Sequence, residues 1–419
     1  MVLEKIKNNV KSLFDYILSF SRWIALSVLV GAVCGVIGSV FHICIDEATE
    51  LRAEKAFIFF FMPVGCLFIA FIYKCFASKG RIDTNLVISS LRDNNRIPLV
   101  MIPLIFISTV VTQFVGGSAG REGAALQLGG SIGYNTGKLF KLNNNNMHII
   151  IMTGMAGVFS ALFGTPITAA VFSLEVASVG LLDYTALLPC IVSSYTAFTI
   201  AGLFGISPVR FAFPSVDCSD AILVVKIVIL SVMLAVLSIV FCGVIEKTHH
   251  LVKKIMPSGY VRAIVCSLIL VGATLLLGTY DYNGAGMFVI ERAMTGEVSP
   301  FAFILKLLFT AVSLAAGFKG GEIVPAFFVG STFGCFMATV LGIDPVLGAA
   351  IGFVALFCGV VNCPLASIIL SVEVFGTQGL LLFAISCGVS YMLSGKFSLY
   401  NSQKILYSKT NNEFDENVK

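Results

Sequence analysis

Charge is what this chain lacks most. Only 12% of its 419 residues are Asp, Glu, Lys or Arg, about half the roughly 25% share of a soluble domain. With 57% hydrophobic residues, that scarcity excludes a string of soluble domains. It points to a polytopic membrane chain whose length goes into spans. The 4 histidines (His42, His148, His249 and His250) are dispersed near span ends. They are too few and too scattered to suggest a metal site or a catalytic triad. The 12 cysteines sit singly in apolar runs, as Cys34, Cys44 and Cys66 do, with no CxxC spacing. They read as small hydrophobes rather than a disulfide framework. No HExxH and no phosphate loop is present, so neither an ATP-driven pump nor any cofactor is expected. The net charge of +4 implies no nucleic-acid partner. Low complexity is confined to 143–146, which reads as a loop.

Apolar segments predict spans at 23–41, 56–76, 98–115, 148–163, 184–204, 222–244, 261–277, 301–316 and 380–393. Shorter helices, too brief to cross alone, are expected at 122–139, 166–179, 326–341, 345–361 and 364–375. Such interrupted segments are tolerated at membrane depth only when buried in protein or lining a cavity. The first 22 residues set Lys5, Lys7 and Lys11 against Ile6, Val10, Leu13 and Phe14 and read as an amphipathic helix at the cytoplasmic surface, not as a cleavable signal. Basic clusters at Lys74, Lys79 and Arg81, at Lys138 and Lys141, and at Lys247, Lys253, Lys254 and Arg262 are expected on the cytoplasmic side with both termini. The acidic loop 46–54 and the segment 205–220 are expected outside.

One polar element stands out in this lipid-like background: Gly116-Gly117-Ser118-Ala119-Gly120-Arg121-Glu122-Gly123-Ala124. An acid at membrane depth costs roughly 2.5 kcal/mol or more, which makes Glu122 a functional candidate. The glycines break the preceding helix. The helix starting near Glu122 then aims its unpaired amides and positive dipole end at the break. Broken helices meeting at the midplane are how transporters hold an anion. The competing reading is a buried Arg121–Glu122 salt bridge, which adjacent helical residues do not favour.

The chain also repeats itself. Pro166-Ile167-Thr168-Ala169-Ala170-Val171-Phe172-Ser173-Leu174-Glu175-Val176 matches Pro364-Leu365-Ala366-Ser367-Ile368-Ile369-Leu370-Ser371-Val372-Glu373-Val374. Gly120-Arg121-Glu122 matches Gly320-Gly321-Glu322, and Leu86-Val87-Ile88 more weakly matches Phe288-Val289-Ile290. All three pairs lie about two hundred residues apart, as a duplicated unit requires. Glu175 and Glu373 are expected at helix ends near the interface, satisfied by solvent or lysines.

These residues resemble the CLC chloride channel and transporter family. Gly120-Arg121-Glu122-Gly123-Ala124 is similar to its GREGP motif with Ala for Pro. Gly320-Gly321-Glu322-Ile323-Val324-Pro325 is similar to GGxFxP with Ile for Phe, and Tyr400 to the Tyr near the last membrane helix. In place of GSGIP stands Arg81-Ile82-Asp83-Thr84-Asn85-Leu86. The resemblance implies an all-α polytopic fold, a CLC-type inverted repeat whose broken helices meet at the midplane. Its parts would be a surface helix at 1–22, repeats at 23–204 and 221–400, a linker at 205–220 and a tail at 401–419 without CBS domains. It further implies a homodimer in the plasma membrane, with halides, protons and the lipid bilayer as partners. Glu122 would be the gate and proton carrier. Glu322 would be a second proton station or a helix cap. Gly123, Ile323 and Val324 would bind the anion through backbone amides, and Thr84 and Tyr400 through hydroxyls.

Gly317-Phe318-Lys319-Gly320-Gly321-Glu322 resembles the bacterial fluoride-exporting branch. Val176 stands where chloride/proton exchangers carry an inner proton-transfer Glu. Both features favour fluoride/proton antiport, whereas the Thr84 hydroxyl suits the chloride branch. A chloride/proton exchanger and a passive chloride channel of the same fold stay open. A membrane enzyme using Glu122 and Glu322 as an acid/base pair would need a nucleophile or cleft motif, and none is visible.

Overall fold

Proline at helix starts and glycine just past helix ends punctuate this chain. The computed structural model describes residues 2–76, 82–93, 95–216, 218, 220–406 and 409, with side chains from residue 14 onward. Lys79 and Arg81 of the first basic loop, the side chains of Lys5, Lys7 and Lys11, and most of 407–419 lie outside that range. Among the described residues are sixteen α-helices. Seven are long and apolar enough to cross a membrane.

The helices fall into two series of eight. The first runs α1 (Val2–Glu54), α2 (Met62–Phe76), α3 (Thr84–Asp93), α4 (Met101–Val115), α5 (Glu122–Leu139), α6 (Asn144–Phe163), α7 (Pro166–Glu175) and α8 (Leu187–Leu203). The second runs α9 (Ala221–Ile255), α10 (Gly259–Leu277), α11 (Met287–Ala293), α12 (Ala302–Ala316), α13 (Ile323–Leu341), α14 (Pro345–Val361), α15 (Pro364–Phe375) and α16 (Leu380–Leu393). In each series the first helix is the longest and the third is short, and the fourth members, α4 and α12, both have 15 residues. α7 and α15 begin with Pro at the first helical turn, where its missing N–H costs nothing. α4 and α12 both end on a left-handed Gly, Gly116 and Gly317.

Close approach of backbones repeats as well. A Cβ added to Gly154 of α6 would lie 2.1 Å from the Gly129 carbonyl of α5, and one on Gly352 of α14 would lie 2.0 Å from the Gly330 carbonyl of α13. Small residues at such crossings are what lets membrane helices pack without a hydrophobic drive between them.

The halves meet head to tail. The Glu175 carboxylate at the end of α7 accepts from the amides of Leu365 (3.1 Å) and Ala366 (2.8 Å) at the start of α15. Glu373 at the end of α15 accepts from Ile167 (3.0 Å) and Thr168 (2.8 Å) at the start of α7. Each carboxylate satisfies donors that a helix start otherwise leaves open. This corrects the expectation of solvent or lysine partners: both acids lie at helix ends, but the opposite half's backbone pairs them. This reciprocity agrees with a two-fold relation between the halves.

Four further expectations change. The surface helix, first span and acidic loop are one helix of 53 residues, about 80 Å long. It continues unbroken through residue 22 and 46–54, and its Gly31 and Gly35 are held against Ser193 and Ala197 of α8. α3 and α11 are additional short helices; the weak 86–88/288–290 match falls on them. α9 continues to Ile255, so His249 and His250 are helical. The described residues of 205–220 are irregular but tied down: Phe211 N–H donates to Val374 O (3.0 Å), and the Phe211 and Phe213 rings lie against Phe375.

After α16 the chain returns across both halves. Strand β2 (Lys404–Ile405) pairs in parallel with β1 (Ser178–Val179), just beyond α7. The Gln403 amide donates to Val176 O (3.2 Å) and Val361 O (2.8 Å), and Ser402 N–H to Asn85 Oδ1 (3.0 Å).

Replacing Glu175 with Ala leaves two amides without acceptors, each worth about 1–3 kcal/mol where buried. Glu175 is buried and Glu373 half-buried. Thermal melts in detergent should therefore fall further for Glu175→Ala than for Glu373→Ala. Equal or negligible shifts would show that the pair does not join the halves.

Candidate functional site

Three helix starts converge. Gly120 N–H donates to Gly321 O (2.7 Å) and Gly321 N–H to Gly120 O (2.8 Å), an antiparallel bridge that sets the start of α5 against the start of α13. Side chains there are excluded: a Cβ on Gly321 would lie 2.3 Å from Gly123 N, and one on Gly120 would lie 2.7 Å from Glu122 Oε2. The third start is α3. Its Thr84 Oγ1 lies 3.5 Å from Gly123 O and accepts from Gln127 Nε2 of α5 at 3.0 Å.

The bridge fixes the register of the repeat. Arg121 is the N-cap of α5 and Glu322 the N-cap of α13. Glu322 is thus the counterpart of Arg121, and Ile323 that of Glu122. The sequence match of Glu122 with Glu322 is one residue out of step, because Gly-x-Glu and Gly-Gly-Glu look alike without the bridge.

Glu122 is 1% exposed. Its Oε2 accepts from the Arg121 amide at 3.0 Å, and the amides of Glu122 itself and of Val324 also act on it. The carboxylate therefore rests where the N-termini of α5 and α13 point their donors, a setting for any anion. Its Oε1 has no hydrogen bond and lies 3.7 Å from Arg121 Nε. The weak ion pair with Arg121 does form, contrary to expectation. Arg121 sits before the first helical turn, so the rule for adjacent helical residues does not apply. The stronger partner of Arg121 is Asp46 on α1, at 3.1 Å.

Below this point lies a cleft of about 400 Å³ lined by Thr84, Gln127, Lys319, Glu322 and Tyr400 among others. Glu122 is not part of its wall, so the cleft stops short of that carboxylate. Glu322 makes no side-chain cap bond to α13, and its half-buried carboxylate faces the cleft. Ile323 and Val324 are buried and can offer only backbone. Tyr400 is 2% exposed, and its hydroxyl has no hydrogen-bond partner among the described residues. The phenol lies within electrostatic range of both Glu122 and Glu322. Asn85, beside Thr84, is occupied by Ser402.

Sequence reading missed Gln127, a lone amide in an apolar helix, and that polarity was its available signal. It also missed Asp46, read as part of an acidic loop. Lys319, whose ammonium stands 4.4 Å over the Tyr73 ring, was noted only as part of a motif.

Duplicated eight-helix halves, with helix starts and buried carboxylates converging at the centre, define a membrane transporter for a small anion. The chain belongs to the voltage gated chloride channel family, which it matches over residues 65–395. It is 31% identical to a chloride/fluoride channel protein of Pseudomonas syringae pv. tomato, covering 97% of this chain and 91% of that protein. It is 25% identical to an H(+)/Cl(-) exchange transporter of Vibrio cholerae, covering 85% and 82%. Among solved structures, a CLC-type fluoride/proton antiporter superposes with a TM-score of 0.89 at 29% identity, covering 93% of this chain and 99% of that one. A slow cyanobacterial Cl-/H+ antiporter gives 0.78 at 19% identity, covering 89% and 94%.

Tyr400→Phe removes a hydroxyl that bonds no atom of the described residues. Its melting temperature should match the parent's. Halide affinity by calorimetry should drop about tenfold, a loss of roughly 1.4 kcal/mol. A lower melting point with unchanged affinity would assign the hydroxyl a structural role.

Proposed function

We propose that this CLC-family chain is a fluoride/proton antiporter of the plasma membrane that exports fluoride and handles chloride poorly. The observation that carries this reading is the pairing of two carboxylates across one helix junction. Glu122 is lodged among the amides of α5 and α13, and Glu322 lines the cleft on the other side. Ionised, Glu122 occupies the anion's place. Protonated, it loses its attraction to the helix dipoles and yields to an anion. One group then both closes the pathway and carries the proton. Val176, where chloride/proton exchangers are expected to carry an inner Glu, is fully buried in apolar surroundings and offers no carboxyl. Glu322 supplies one at the cleft instead. Fluoride holds its water tightly, so a site must replace that water with close donors. The amides of Val324 and Gly123 and the hydroxyls of Thr84 and Tyr400 are the donors in reach. The fluoride/proton antiporter that superposes on this chain supports the same reading.

The second reading, a chloride/proton exchanger, is favoured by Thr84, whose hydroxyl stands at the start of α3. Efflux from liposomes loaded with mixed fluoride and chloride decides between them. Fluoride should leave well ahead of chloride; equal or chloride-favoured flux refutes the fluoride assignment.

Two further outcomes are expected. Glu122→Gln cannot titrate, so proton movement coupled to anion flux should vanish. Undiminished proton pumping by that variant would remove Glu122 from the gate. A homodimer with both termini on the cytoplasmic side belongs to the same reading, with Ile167, Leu188, Ile191, Leu365 and Leu381 forming its exposed apolar face. Native mass spectrometry in mild detergent should show the dimer, and monomer alone would contradict it.

A further inference from the structure

A chain of ion pairs leads from the gate to the surface. Arg121 Nη1 lies 3.1 Å from Asp46 Oδ1, and His42 Nε2 lies 3.0 Å from Asp46 Oδ2. Arg121 Nε is 3.7 Å from the unpaired Glu122 Oε1. The side chains of Arg121 and His42 are 13% and 14% exposed, that of Asp46 49%. Asp46 is thus open to the medium while the other members are largely enclosed. His42 and Asp46 sit one turn apart on α1 and face the N-cap of α5. One guanidinium therefore has two carboxylates in reach, one wet and one sealed.

Of the other charges on the neighbouring elements, Glu47 and Glu50 follow Asp46 on α1 and are exposed, and Lys138 lies at the far end of α5. His42 and Arg121 are the charged groups acting on Asp46, and Arg121 is the one acting on Glu122, with the Tyr400 phenol also in its range. α4 and α8, which lie along α1, carry no charged side chain, and the α6 histidine, His148, is paired with Asp183. Arg52, further along α1, donates to the Gln113 carbonyl instead.

We propose that His42 and Asp46 set, through Arg121, the pH at which Glu122 takes up its proton. This rests on the gate reading of Glu122. Ionised Asp46 draws the Arg121 guanidinium and offsets its positive field, so Glu122 accepts a proton more readily. His42 Nε2, 3.0 Å from Asp46 Oδ2, shares that carboxylate with Arg121. To the extent that it holds Asp46, more of the field of Arg121 falls on Glu122 and favours its ionised form.

The two residues have opposite signs, which no merely structural role would produce. Anion efflux from liposomes is measured with the same pH on both faces, across a pH series. Asp46→Asn should move the midpoint to lower pH by about one unit. His42→Gln should move it to higher pH. Should Asp46→Asn fail to insert, the shift in His42→Gln still decides. Unshifted midpoints in the variants that fold overturn the proposal. The Glu122→Gln profile separates the causes. If the parent shows no pH dependence, or Glu122→Gln keeps the parent's, the gate reading fails and this inference with it. If the dependence disappears in Glu122→Gln while both relay variants stay unshifted, the relay alone is wrong.

Discussion

Two helix N-termini, each carrying roughly half a positive charge, are held together by the reciprocal amide bonds of Gly120 and Gly321. Like ends repel, so this junction is stable only with something negative between them. The Glu122 carboxylate fills that requirement. Everything else in the centre follows from the bridge. It needs glycine at both positions, it sets the register of α5 against α13, and it brings the Gly123 carbonyl to Thr84 of α3. Because the junction favours an anion at all times, a position emptied of the carboxylate attracts a replacement.

The same economy of backbone runs through the rest of the membrane domain. With little charge available, buried polar ends are satisfied by neighbouring main chain. Glu175 and Glu373 accept amides from the opposite half. Lys306, wholly buried, donates to the carbonyls of Tyr282 (3.2 Å) and Gly284 (2.7 Å) and stands over the Phe328 ring. In a solvent without water, each such partner replaces what hydration supplies elsewhere.

Much of this was legible in the sequence. The bounds of α5, α14, α15 and α16 follow from Pro at the first turn or Gly beside the ends. The central acid announced itself by its cost in lipid. The duplication was visible because Pro and Glu frame the same short helix twice. What stayed hidden needs contacts between distant segments. Nothing local says that Glu175 caps a helix 190 residues away. α3 has ten residues and α11 seven, so neither is long enough to show a span pattern. The one-residue error between Glu122 and Glu322 persists until the bridge is seen. Asp46 looks like a surface acid until α1 is known to continue past α5.

The segment that pairs β2 with β1 also couples distant parts of the chain. Residues 402–405 bond to Asn85, Val176, Val361 and the strand after α7, so one short stretch behind α16 ties segments of both halves to each other. Tyr400 stands at the root of this clasp and lines the cleft, so the few residues of backbone that hold the halves together also set where its ring stands.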